Sequence, residues 1–233
     1  QGVEIPELLW AQCYQAAGAI ETATATYDTA LERWPNDPRI ARAASGFFQN
    51  HGRLDRAEAL LRATLKRDPA QRWAARGLAL LRSAQPDGWD EAWSLLGPAA
   101  DGTEAPEDRL TRAVVLARSL DPKRRAESGT MLEGLLADLP PESAAATAAR
   151  DLLIHEAIRR DQPDRARRLA TVAAAGTASP TAIAVLAELS IQAGQLDEAR
   201  RQIDRLAAAS PNDRNGVKLR ALPTTRLDSR RRD

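Results

Sequence analysis

One short ladder of residues, repeated three times, constrains this chain more than any other feature. Gly18-Ala19-Ile20-Glu21-Thr22-Ala23 recurs as Gly52-Arg53-Leu54-Asp55-Arg56-Ala57 and again as Gly194-Gln195-Leu196-Asp197-Glu198-Ala199. Downstream of each final Ala the spacing is the same. Ala23, Tyr27, Ala30 and Pro35 correspond to Ala57, Leu61, Thr64 and Pro69, and to Ala199, Ile203, Leu206 and Pro211. The first two copies lie 34 residues apart.

Steps of four and three keep side chains on one face of an α-helix. A small residue where two helices cross lets their backbones approach, and the larger residue a turn later fills the groove. Proline cannot continue the helix and marks the turn into the next unit. The Gly between paired helices suits a left-handed cap. Ala57 and Ala199 are therefore expected to be buried, and Ala41 to sit on a more tolerant face.

This ladder resembles the tetratricopeptide repeat, a helix–turn–helix unit of about the same length. Ala11 and Tyr14 match the small and aromatic positions of a first helix, as Trp73, Gly77 and Leu80 do in the third unit. The resemblance implies an all-α, right-handed superhelical solenoid of about six repeats over residues 4–213. The middle units depart from the pattern. The turn from Ser83 to Gly88 is a few residues too long, Gly129 and Gly134 weaken the second helix of unit four, and unit five packs on small residues. Asp101 to Pro106 is either a joint between two halves or a long surface loop. Past Pro211 the register is lost. Asn215 to Leu222 is expected to form a short capping helix, and Pro223 to Asp233 to be loose.

Composition agrees. Hydrophobic residues make up 43% of the 233 and charged residues 28%, an ordinary globular balance. Aromatics are only 4%, and an apolar share resting on Ala and Leu favours close-packed helices over sheets. A single Cys excludes an internal disulfide framework, and two His leave no Cys/His-rich metal site. No cofactor is indicated. The longest purely apolar run, Ala182 to Ala187, is far short of the ~20 residues that span a bilayer. Gln1-Gly2-Val3-Glu4 lacks the basic-then-apolar order of a signal peptide, and a first residue other than Met is expected of a processed or excised chain. The compartment stays open, with the cytoplasm preferred. Thirty of the 33 basic residues are Arg, a skew that with abundant Ala fits a GC-rich bacterial genome. Residues 214–233 carry a net charge of +5 against −4 for the rest, so an acidic body ends in a basic tail.

Residues with chemical potential are few. His51 reads as a C-terminal helix cap. Cys13 reads as a packing residue beside Trp10 and Tyr14, with no His in register to activate it. The five Trp read as core and inter-repeat packing, with Trp89 the one candidate for an interface. The carboxylates alternate with Arg, and nothing pairs them for acid–base work, so an enzyme is not expected.

What the resemblance leaves is a concave surface lined by first helices, where relatives bind extended peptides or partner helices. Register places Ile5, Leu8, Gln12 and Gln15 there in unit one, and Arg39, Arg42, Gln49 and Asn50 in unit two. Thr111 and Arg118 follow in unit four, Asp151, His155 and Arg159 in unit five, and Glu188 and Gln192 in unit six. Arg39 and Arg42 read as a pair that no inner acid neutralises, whereas Asp151 is expected to offset Arg159. The family's chaperone-tail clamp uses Lys and Asn at fixed inner positions; Arg42 stands at the one, but Gly46 at the other. The expected role is a scaffold for a protein or peptide partner. The alternatives are a nucleic-acid-binding helical repeat using the Arg-rich surface and tail, and a structural homo-oligomer whose first unit lacks a polar capping helix.

Overall fold

The computed structural model describes residues 5–97, 104–176 and 179–209. Among these residues the regular elements are twelve α-helices and no strand. They divide into two compact units that meet between Glu104 and Ala105. The first unit holds α1 (Pro6–Ala16), α2 (Ile20–Arg33), α3 (Pro38–Asn50), α4 (Leu54–Arg67), α5 (Arg72–Arg82) and α6 (Trp89–Leu96). The second holds α7 (Pro106–Ala117), α8 (Pro122–Asp138), α9 (Ala144–Arg159), α10 (Pro163–Gly176), α11 (Pro180–Gln192) and α12 (Leu196–Ala209). The predicted six helix pairs are present. None of the described helices is long and apolar enough to cross a membrane.

The helix boundaries follow local chemistry. Proline opens α1, α3, α7, α8 and α11, where its missing N–H would have had no partner. Asp37, Asp121, Ser143 and Ser179 cap α3, α8, α9 and α11 by accepting backbone N–H groups. The turn inside a pair is closed alike in three repeats. Gly18, Gly52 and Gly194 have φ of 75°, 71° and 72°, and the next N–H reaches back five residues, from Ala19 to Tyr14, Arg53 to Phe48 and Gln195 to Ser190. Repeat five makes the same closure without glycine. Asp161 takes φ 55° there, and Gln162 N–H donates to the Ala157 carbonyl at 2.9 Å. The longer turn of repeat three runs through Gly88, where a Cβ would lie 2.0 Å from the Arg82 carbonyl oxygen. Only glycine fits that approach.

The ladder is the packing surface. Ala23, Tyr27, Ala30, Ala57, Leu61, Thr64, Ala199 and Leu206 are all buried. In unit four Ala113, Ser128, Leu132 and Leu135 are buried, and α8 runs unbroken through both Gly129 and Gly134. In unit five Leu153, Ile154, Ala157, Ala166, Ala170 and Ala173 are buried.

Three expectations need correcting. Ala41 is buried, because α3 presents both Ile40 and Ala41 inward. Cys13 is exposed. Trp10 is 59% exposed, because among the described residues no element packs over that side of α1, and Trp34 is exposed too. Trp73, Trp89 and Trp93 are half-buried, the last two stacked with ring centroids 5.5 Å apart. The basic tail, the proposed capping helix at 215–222, Pro211 and residues 101–103 of the 101–106 stretch lie outside the described residues.

Candidate functional site

In the first unit α1 and α3 form the walls of an open groove of about 640 Å³, with Tyr27 and Phe47 at its base. Helical spacing explains its lining. Leu8, Gln12 and Gln15 share one stripe of α1, while Arg42, Gly46 and Asn50 recur every fourth residue along α3. The base is rigid. Tyr27 is buried against Phe47, ring centroids 4.9 Å apart, and its hydroxyl donates to Gln15 Oε1 at 3.0 Å. Burial holds the Tyr27 phenol above its ordinary range, so it stays a neutral donor. Gln15, with its oxygen engaged by Tyr27, lines the groove.

The two arginines separate. Arg39 is bound by Asp37, Nη2 to Oδ2 at 2.7 Å and Nε to Oδ1 at 3.1 Å, and the same carboxylate accepts the Arg39 backbone N–H at 2.8 Å. The Arg39 side chain, followed by that backbone N–H, holds the Asp37 carboxyl below its usual range against the opposing pull of desolvation. The expectation that no acid neutralises Arg39 is therefore corrected: the cap residue of its own helix does so. Arg42 is exposed and is the groove's remaining cation. Gly46 lies between Arg42 and Asn50, and a Cβ there would meet nothing within 4 Å. Glycine inside a helix costs about 1 kcal/mol against alanine, and no close neighbour requires it here. What Gly46 does is leave the α3 wall flat.

Gln49 does not join this groove. Its amide nitrogen lies 3.8 Å from where a Gly77 Cβ would be, so it faces α5. In the second unit a smaller cavity of about 210 Å³ brings together Arg118, the C-cap of α7, with His155 and Arg159 of α9. Asp151 is not among its lining residues, and its carboxylate accepts from Ser179 Oγ at 2.8 Å at the start of α11. The expected offset of Arg159 by Asp151 is replaced by that bond. Burial raises the Asp151 carboxyl above its ordinary range despite the Ser179 hydroxyl. His155 Nδ1 lies 2.8 Å from the Asp151 carbonyl oxygen. Thr111 is buried, and Glu188 and Gln192 are exposed on α11. His51 caps α3 as expected, its Nδ1 2.8 Å from the Phe47 carbonyl.

Sequence reasoning missed Glu156, which is buried in the wall of the smaller cavity. One oxygen pairs with Arg160 at 2.8 Å, while the other has no hydrogen-bond partner and lies 3.1 Å from where a Gly129 Cβ would be. The absent side chain at Gly129 makes room for that carboxylate. Among the described residues no group of three or more His, Cys, Asp or Glu could hold a metal ion.

Comparison with known proteins places this architecture. A sequence search of curated proteins finds no match. A crystallised tetratricopeptide repeat protein from Parabacteroides merdae superposes with a TM-score of 0.72 at 13% identity, over 91% of this chain and 81% of that one. PilW, a widely conserved type IV pilus biogenesis factor, superposes with a TM-score of 0.62 at 16% identity, over 91% and 96%. The Pseudomonas aeruginosa protein pilF gives 0.55 at 18% identity, over 93% and 96%. These likenesses establish a shared fold. The tetratricopeptide repeat family profile matches residues 157–222 directly. With that match in the second unit, and the same ladder and cap geometry in the first, residues 157–222 carry the tetratricopeptide repeat signature and the chain shares the fold of tetratricopeptide repeat proteins.

Proposed function

We propose that this chain is a protein–protein interaction scaffold whose N-terminal unit binds an extended segment of a partner between α1 and α3. The repeat fold is typical of such scaffolds. The observation that carries the site is the groove lined by Gln12, Gln15, Arg42 and Asn50 and left open at Gly46. Its floor is apolar and its rim offers amides at helical spacing, a combination suited to peptide backbone. Among the described residues lining the groove, Arg42 supplies the positive charge that no neighbouring acid binds, so the segment carries an acidic side chain or a terminal carboxylate opposite α3. An activity in bond-making is not part of this reading.

The nucleic-acid alternative is less well supported. Much of the arginine surface is engaged within the protein, as in Arg33 with Glu7, Arg56 with Asp28, Arg109 with Asp138 and Arg165 with Glu133. Others cap backbone carbonyls, as Arg125 does at Ser119 and Arg205 at Ala174. Such arginines are poorly placed to release counterions from phosphates.

Partner capture by variants of the full chain tests the proposal. Gly46→Phe fills the groove and Arg42→Glu reverses its charge, and both should abolish capture while far-ultraviolet circular dichroism stays helical. Arg200→Glu with Arg201→Glu on α12 should leave capture unchanged. Full recovery of partners by Gly46→Phe would remove this groove from consideration.

A further inference from the structure

A second stripe of α1 carries an independent surface. Leu9 and Trp10 are 46% and 59% exposed, and Cys13, one turn on, is exposed beside them. None of the three lines the groove. Elsewhere in the fold the same position is covered. Counting from the cap at Gly18, Trp10 corresponds to Ala44 in α3, Leu153 in α9 and Leu186 in α11. All three are buried, on helices that pack against the helix pair before them. The stripe is thus the fold's own repeat-to-repeat interface with no described element upon it.

We propose that this face joins two copies of the chain, α1 against α1, about a two-fold axis. In the other repeats this face packs on the second helix of the preceding pair and also on its first helix, as α3 does on α1, α9 on α7 and α11 on α9, so contact of one first helix with another is one that the fold already makes. Charge favours a second copy. From Ile5 to Ala19 the sole charged residue is Glu7, and it is paired with Arg33, so identical faces meet without repulsion. The Trp10 and Tyr14 rings, 6.3 Å apart, give each copy an aromatic anchor of the sort enriched in interface hot spots. An eleven-residue helix is only ~16 Å long, so the contact lies towards the small end of specific interfaces.

The test is sedimentation of the full chain under reducing conditions across the micromolar range, with maleimide labelling of its single Cys13 as a readout that needs no variant. The mass should rise to twice the monomer, Cys13 labelling should slow over the same concentrations, and Trp10→Glu should weaken association about tenfold or more. Because Trp10 is exposed, that variant should keep its helical dichroism and its groove. A wild-type chain that stays monomeric with freely labelled Cys13 overturns the proposal and leaves the face to a different partner. So does a Trp10→Glu variant that associates as the wild type does.

Discussion

Both units bury alanines at their helix crossings, but only the first adds aromatic rings to them, while the second adds Leu, Ile and Val. Every Phe, Tyr and Trp of the chain lies before Ser94, and Tyr27, Phe47 and Phe48 form one buried cluster with centroids 4.9 to 6.5 Å apart. In the second unit Ala157, Ala166, Ala170, Ala173, Ala174, Ala182 and Ala187 are buried together around Ile154, Ile183 and Leu206. Interaxial distance follows the side chains at the crossing. The ring-bearing helices α1, α2 and α3 surround an open groove of about 640 Å³, whereas the second unit has smaller cavities of about 330 Å³ among α10, α11 and α12 and about 210 Å³ among α7, α8 and α9. One helix-pair frame accepts both solutions.

The difference also supplies a measurement, because intrinsic fluorescence reports on the first unit and far-ultraviolet dichroism on both. The largest expected effect is from Phe47→Ala, which removes a buried ring and should cost about 3–5 kcal/mol. Its fluorescence-detected transition should move to much lower denaturant. A small shift would mean that the ring cluster does not hold the first unit together.

Enlarging the small crossing residues comes next. Ala170→Leu should overpack the second unit by about 1–3 kcal/mol and shift the dichroism transition more than the fluorescence one. Ala57→Leu should shift both. Ala41→Leu belongs with the costly substitutions, since Ala41 is buried. If all three are harmless, the helices do not approach as closely as the packing requires.

Acid should separate the units by the smallest margin. Glu91 bonds Arg62 at 2.7 Å and Arg82 at 2.6 Å, tying α4, α5 and α6 together, and the Arg62 guanidinium first, then Arg82, holds its carboxyl below the usual range. Asp37 is lowered likewise by Arg39. Lowered groups stabilise the fold above their unfolded pKa, and that contribution is lost as pH falls through the folded value, below about pH 4. Asp151 in the second unit is raised by burial, so its contribution is greatest below its unfolded pKa and is lost as pH rises through the folded value. Glu198 in that unit is lowered by Gln202 and then Arg201, so the contrast is one of degree. Acidification should lower the fluorescence transition more than the dichroism one; equal shifts would contradict the ion-pair account.

Much of this was legible in the residues. Small–large–small spacing located the helix crossings, and the cap glycines located the turns. Register brought Leu8, Gln12, Gln15, Arg42 and Asn50 to a common face, which the groove then joins. What escaped had physical reasons. Periodicity shows that Leu9, Trp10 and Cys13 share a stripe, but not whether anything packs upon it. Arg39 was read along the helix, while its partner is the Asp37 cap two residues away. Asp161 replaces the expected cap glycine because Asp tolerates left-handed backbone. Burial of Glu156 depends on Gly129, a residue of another helix that no local pattern connects to it.

The central claim is that the ring-bearing first unit, and not the second, is where a partner docks. Backbone amide NMR of the full chain, titrated with short acidic peptides bearing a free C-terminal carboxylate, tests it most directly. The account predicts shifts clustered on α1 and α3 around Gln12, Gln15, Arg42, Gly46 and Asn50, weaker for the amidated peptides and absent in Gly46→Phe. Shifts centred on Arg118, His155 and Arg159, with α1 and α3 silent, would contradict it.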